Sequence, residues 1–193
     1  MIVVLGRPGL TADGGIDRLA GNIALAVAGD GGRVELVGSV GDDSDGDSVI
    51  VLLGQAGIGH AAILRDPAGI TPRGGALGEA APNLPRLDAG DIDLGLRYLA
   101  DVGVIVVAEP LPDDAIRVVN EASSYHGAAL IVLTAGKTTA DVPDDATVLE
   151  IPADGGGAFA ALVARYAASL DSGRVPADAW RDAVDQTGWE QAE

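Results

Sequence analysis

Any chemistry in this chain has to come from carboxylates, hydroxyls, guanidinium groups and backbone N–H groups. Its 193 residues include 29 Asp or Glu, 12 Lys or Arg, two His and no Cys. Thiolate metal sites and disulfides are therefore excluded. His60 and His126 are too far apart for helical pairing, so neither has a partner of the kind that holds zinc. No Gly-x-Ser-x-Gly elbow is present for hydrolase chemistry. Asp43-Ser-Asp-Gly-Asp47 looks like a calcium loop, but its first position would be Gly41 and its twelfth Leu52, and neither side chain can coordinate calcium. Gly6-Arg-Pro-Gly9 lacks the third glycine and the spacing of a dinucleotide fingerprint. Gly155, Gly156 and Gly157 stand ahead of an apolar stretch and offer unhindered backbone N–H groups to an anion at a helix N-terminus. Asp154, directly before them, can instead cap that helix and occupy the same donors, and its charge repels phosphate.

The elements that would position such groups alternate between strand and helix. Strands are predicted at residues 2–5, 33–40, 61–64, 102–108, 128–133 and 146–151, with a weaker strand signal over 69–77. Helices are predicted at 19–28, 47–56, 92–100, 112–125, 159–170 and 176–186. Residues 6–15 read as a Gly/Pro-rich loop. Aromatic residues make up only 3% of the chain, so the core has to be built from Val, Leu, Ile and Ala, as in buried parallel strands. The expectation is one domain over residues 1–193, an α/β three-layer sandwich around a mostly parallel, doubly wound sheet. In such sheets ligands sit beyond the C-terminal strand ends. That directs attention to the loops after Leu5, Val40, Val107 and Ile151.

The formal net charge of −17 argues against nucleic acid and against anionic membrane surfaces as partners. Lys137 is the only lysine, and 22 of the 29 acidic residues are Asp. A surface of short carboxylates suits concentrated salt, which screens its self-repulsion. The chain opens with no basic-then-apolar leader and has no run of membrane length, so a soluble cytoplasmic protein is expected.

Residues 19–46 carry the most specific pattern. They read Leu-Ala-Gly-Asn-Ile-Ala-Leu-Ala-Val-Ala and then Val-Glu-Leu-Val-Gly-Ser-Val-Gly-Asp-Asp-Ser-Asp-Gly. This resembles the N-terminal signature of the ribokinase-like (phosphofructokinase-B, PfkB) carbohydrate kinases, in which a Gly-Asn pair begins a helix and a strand ends in Val-Gly-x-Asp-x-x-Gly. The resemblance implies substrate-binding roles for Gly21, Asn22 and Asp42. The residue types suit those roles, since Gly21 lets a ligand approach the backbone and Asn22 offers both a donor and an acceptor to a hydroxyl. The plainer alternatives are a helix N-cap for Asn22 and a turn residue for Asp42. The stretch Ala100-Asp-Val-Gly-Val-Ile-Val-Val-Ala-Glu-Pro-Leu-Pro resembles the family strand that ends in an acidic residue facing the sugar, which would be Glu109.

The tail departs from the family. Family members carry Asp-Thr-x-Gly-Ala-Gly-Asp before a small-residue helix, where the glycines form an anion hole and the last Asp is the catalytic base. This chain reads Pro152-Ala-Asp-Gly-Gly-Gly-Ala-Phe159, which puts Gly157 at the place of that aspartate. Residues 6–21 are also too few for full lid strands, and no room remains before the tail helix for the strands that hold the nucleotide base. The resemblance thus implies a shortened member with a reduced or absent lid. It would bind a small sugar, a nucleoside or a partner subunit with little or no phosphoryl transfer. Two alternatives remain at this point. One is an active ATP- and Mg²⁺-dependent kinase with Asp154 as base. The other is a structural partner of a full-length kinase. A homodimer is expected where an absent lid leaves the ligand face open.

Overall fold

The computed structural model describes residues 1–74, 83–136, 142–152 and 156–189. Four-residue runs of Val, Ile and Leu make the central strands, β1 (Ile2–Leu5) and β6 (Val104–Val107), and both are buried along their whole length. β4 (Val34–Gly41) and β5 (Ile63–Asp66) extend the sheet on one side of β1. β7 (Ala129–Thr134) and β8 (Thr147–Glu150) extend it beyond β6. The order is β5-β4-β1-β6-β7-β8, and every neighbouring pair is parallel.

Alternate side chains of the same strands serve opposite layers. Ile2, Val4, Leu36, Val104, Val106 and Ile131 pack against α1 (Arg18–Gly29), α2 (Ser44–Gln55), α5 (Gly157–Asp171) and α6 (Pro176–Thr187). Val3, Leu5, Val37, Ile105, Val107 and Val132 pack against α3 (Ala89–Arg97) and α4 (Asp113–His126). The result is the three-layer α/β/α sandwich with a doubly wound, open parallel sheet that the alternation of elements predicts.

Local chemistry sets most boundaries. Asp88 and Asp91 form a capping box that starts α3 at Ala89, three residues before the predicted start. Asp43 caps α2, so that helix begins at Ser44 instead of Asp47. α4 closes on Gly127 at φ 65°, a left-handed position that suits glycine. Pro176 opens α6.

The predicted loop at 6–15 contains part of a small hairpin. β2 (Gly9–Leu10) pairs antiparallel with β3 (Ile16–Asp17), and Arg73 bridges to Leu10 from the far side. Each strand of this hairpin is two residues long. The weak strand signal over 69–77 amounts to that one bridge among the described residues; residues 75–77 lie outside them.

A strap follows β5. Asp66 accepts a hydrogen bond from the Arg86 N–H, and Ile70 N–H donates to the Asn83 carbonyl. Thr71 Oγ1 accepts from Gly41 N–H at the end of β4, and Leu10 N–H donates to the Pro72 carbonyl. The chain flanking residues 75–82 is thereby fastened across the C-terminal ends of β5 and β4 and onto the hairpin.

Candidate functional site

The turn from β4 into α2 shows what the signature Val-Gly-x-Asp-x-x-Gly builds. Asp43 Oδ1 accepts from Gly46 N–H at 2.7 Å, and Asp43 Oδ2 accepts from Thr71 N–H at 2.9 Å. Burial pushes the Asp43 carboxyl upward, but its hydrogen bonds from Thr71 and Gly46 outweigh this and hold it below the usual carboxylate range. A β-carbon on Gly46 would fall 2.2 Å from the Gly41 carbonyl oxygen, so the helix can start this close to the strand only with glycine there. Asp42, one residue earlier, points outward with its side chain 60% exposed and stands 3.6 Å from Arg65. Arg65 also pairs with Asp47, and Arg73 pairs with Asp45.

A second group gathers where the sheet changes winding direction. β1 lies between β4 and β6, and the chain leaves it first toward β4 and later returns to it through β6. The crevice beyond the C-terminal ends of β1 and β6 is thus the topological switch point, the default ligand position in an open α/β sheet. Arg7 follows β1 and Glu109 follows β6. Arg7 Nη1 donates to Glu109 Oε1, and Arg7 Nε donates to the Pro85 carbonyl oxygen of the strap. The two side chains are mostly buried, at 16% and 17% exposure. Burial pushes the Glu109 carboxyl above its usual range; Arg7 and then Arg18 oppose this by charge without cancelling it. Glu109 is thus a carboxylate that ionises reluctantly and is held in place by a guanidinium, with Oε2 accepting no hydrogen bond among the described residues.

The first turn of α1 lines the same crevice. A β-carbon on Gly6 would lie 2.9 Å from Ala20 Cβ and 3.6 Å from Glu109 Cγ, so the loop after β1 is sandwiched between α1 and Glu109. Gly21 is packed against Ile16, where a β-carbon would come within 2.5 Å of the Ile16 side chain, so hairpin packing by itself calls for a glycine there. Asn22 is half-buried at the fifth position of α1. The cap of that helix is Asp17, so Asn22 is not an N-cap and its amide is left for other partners.

The third feature is the start of α5. Gly156 is its N-cap and Gly157 its first residue. A β-carbon on Gly157 would meet nothing within 4 Å, and the first turn carries no acidic residue. Backbone N–H groups at the positive end of a 15-residue helix can receive a phosphate or another anion. Asp154 and Gly155 lie outside the described residues. Among the described residues α5 follows β8 without an intervening strand. No three His, Asp or Glu side chains among the described residues converge as a metal cluster, and no helix there is long and apolar enough to cross a membrane.

Of the sequence-predicted residues, Glu109 stands beyond the end of β6 against the loop at Gly6, Gly21 packs on Ile16 of the hairpin, Asn22 lies in α1, and Asp42 faces Arg65. Counting Val-Gly-x-Asp-x-x-Gly from Val40 places its aspartate at Asp43, and that is the carboxylate the fold uses. Arg7, Arg18 and Thr71 were not singled out. A charged residue directly after the first buried strand was the available signal for Arg7.

No protein-family model matches the chain, and no curated protein matches it in sequence. Solved structures do match. Arabidopsis thaliana ribokinase, complexed with ribose and ATP, is 14% identical with a TM-score of 0.68, over 96% of this chain and 90% of that one. A PfkB protein from Polaromonas sp. JS666 is 12% identical with a TM-score of 0.66, over 96% and 94%. A microbiome-derived acarbose kinase is 15% identical with a TM-score of 0.66, over 97% and 91%.

Proposed function

The chain has a ribokinase-like fold, and from that premise we propose that it binds a small polyol, a sugar or a nucleoside, at the crevice of Arg7, Asn22 and Glu109, with little or no phosphoryl transfer. The observation that carries the binding half is the placement of a mostly buried, guanidinium-held carboxylate at the switch point of the sheet. Glu109 Oε2 can accept from a hydroxyl, and the Asn22 amide can donate and accept. That the Arabidopsis ribokinase is complexed with ribose supports a polyol as the ligand class.

The observation that favours weak catalysis is Gly157 as the first residue of α5. The helix start can receive an anion, yet Gly157 supplies no side chain to take a proton from a substrate hydroxyl there. A missing general base costs about 10²–10⁴-fold. Incubation with ATP, Mg²⁺ and a panel of sugars and nucleosides in molar salt tests this. ADP release well below about 1 s⁻¹ is expected, against an ordinary enzyme range of 1–10³ s⁻¹. Gly157→Asp should fold, since its side chain enters open space. It should also stay nearly inactive, because a base without a positioned γ-phosphate gains little. Turnover by the wild type at ordinary rates would favour the active-kinase reading, with Asp154 as base, and Asp154→Asn should then abolish it.

A homodimer and a cytoplasmic setting belong to the same reading. The C-terminal edge of the sheet is the surface a second copy would cover. Native mass in molar salt checks this, and a monomer at high protein concentration removes it. The third reading, a structural partner of a full-length kinase, predicts no polyol binding at all.

A further inference from the structure

The second half of α4 borders a groove that the crevice does not reach. Glu109 lies before α4 begins, whereas the groove starts at Val118 and runs to the last residue of the helix, His126. Helices rise 1.5 Å per residue, so Glu121 lies about 12 Å along α4 from its first residue. Across from it stand Asp93, Leu96 and Arg97 of α3. The space between the two helices is about 390 Å³, within the range of small-molecule pockets. Leu96, Val118 and Ala122 make its apolar floor, and all three belong to the core on this side of the sheet. Tyr125 lines the groove as well and is 86% exposed, in a chain with only one Phe, two Trp and three Tyr. A ring left in water beside a pocket is unused contact surface.

The charges around this groove do not cancel. Arg97 donates to Asp93 one turn back on α3, so those two are spent on each other. Glu121 is exposed and, among the described residues, forms no ion pair. The rings of Tyr125 and His126 stand edge to face, with centroids 5.1 Å apart and planes at 85°, and His126 counts as neutral in the formal charge. Both helices end here, α3 at Arg97 and α4 at His126, and helix C-termini carry partial negative charge. One free carboxylate, two negative helix ends and a tyrosine ring all attract a cation, and the apolar floor favours one with a stem. We infer that the groove is a second binding site, for a small organic cation: an ammonium group on an aliphatic or aromatic stem. The ammonium pairs with Glu121 beside the Tyr125 ring, and the stem lies on Leu96, Val118 and Ala122. Inorganic cations have no stem to bury, so molar salt competes for the charge and not for the floor. The inference uses none of the crevice residues and stands apart from the polyol reading.

Benzylammonium, benzyl alcohol and benzoate share one ring and differ in charge, which makes them the probes. Their binding to the full chain is measured by isothermal titration at pH 8 in molar salt. Screening there reaches only about 3 Å, so general attraction to an acidic surface is suppressed and a contact pair survives. Benzylammonium is expected to bind about fivefold or more tightly than benzyl alcohol, with benzoate the weakest. Glu121→Gln should remove the advantage of benzylammonium over benzyl alcohol. Tyr125→Leu, which keeps an apolar wall without the ring, should weaken benzylammonium more than benzyl alcohol. Both side chains are exposed, so both variants should melt as the wild type does. Equal binding of the three probes would overturn the inference, because the groove would then select no charge. An advantage for benzylammonium that persists in Glu121→Gln would overturn it too, by placing the cation elsewhere. No binding of benzylammonium at about 10 mM, beyond the millimolar end of ordinary affinities, would overturn it outright.

Discussion

Replacing Asp43 by alanine removes the acceptor of two backbone N–H groups, one at the start of α2 and one in the strap. Loss of a helix cap costs about 1 kcal/mol, and a buried N–H left without a partner costs about 1–3 kcal/mol. Asp43→Ala should therefore lower stability to urea by about 2–3 kcal/mol, whereas Asp42→Ala, on an exposed ion pair, should stay within about 0.5 kcal/mol. The pH dependence has a definite sign. The folded state holds the Asp43 carboxyl below its unfolded value, so its contribution is full above the ordinary aspartate range and is lost as pH falls through the folded value. The gap between wild type and Asp43→Ala should narrow on acidification. Arg7→Met tests the opposite case. Glu109 is raised, so it resists ionisation in the folded state, and stability linked to its proton is full below the ordinary glutamate range and lost as pH rises through the folded value. Without Arg7 a mostly buried carboxylate loses its partner, which costs about 3–5 kcal/mol where the pair is fully buried and less here. The loss in Arg7→Met should be larger at pH 8 than at pH 4, and equal losses would show that the pair is not electrostatically important. The sequence alone located Glu109 by resemblance but not Arg7, because nothing in Gly6-Arg-Pro-Gly9 says which strand end will stand opposite it. The neighbouring aspartates Asp42 and Asp43 are alike in type, and only the motif count from Val40 and the hydrogen bonds that Asp43 accepts from Gly46 and Thr71 separate their roles.

At the scale of elements, close approach is built into particular glycines. A β-carbon on Gly38 would fall 1.9 Å from the Gly6 carbonyl oxygen, backbone against backbone, with no side chain able to yield. Gly38→Ala should therefore displace β4 from β1 and lower the thermal midpoint by many degrees. Gly157→Ala, which points into open space, should leave it nearly unchanged. Melting curves of the two variants check the pair. Strands such as Val104–Val107 were legible because a continuous apolar run flanked by polar turns has one good place in an α/β sandwich. Helix starts were less so. α2 and α3 begin three residues early because Asp43 and Asp88 supply caps, and a cap depends on backbone direction, which periodicity does not carry. The hairpin of β2 and β3 was hidden for a related reason. Strands of two residues have no period to detect, and Leu10 finds its further bridge 63 positions away, at Arg73.

For the whole molecule the surplus of acid is the dominant long-range effect. Even if every basic side chain were paired, 29 acidic against 12 basic residues would leave 17 carboxylates without a partner. Screening reaches about 3 Å at 1 M salt but about 10 Å at 0.1 M, so repulsion among these carboxylates grows as salt is withdrawn. The thermal midpoint should fall steadily over that range, and a flat profile would remove the salt-adapted reading. The contact between Arg7 and Glu109 has a further consequence, one of timing. Its two ends are 102 positions apart in the chain. At about 5–20 residues per second on a ribosome, Arg7 emerges roughly 5–20 s before its partner has been made. Once Val34–Gly41 has been made, β1 can pair with β4, but until Glu109 follows the crevice has only one wall. A nascent chain arrested before Glu109 should therefore hold the β4–α2 turn and still lack a binding site, so that ligand capture marks the completion of β6.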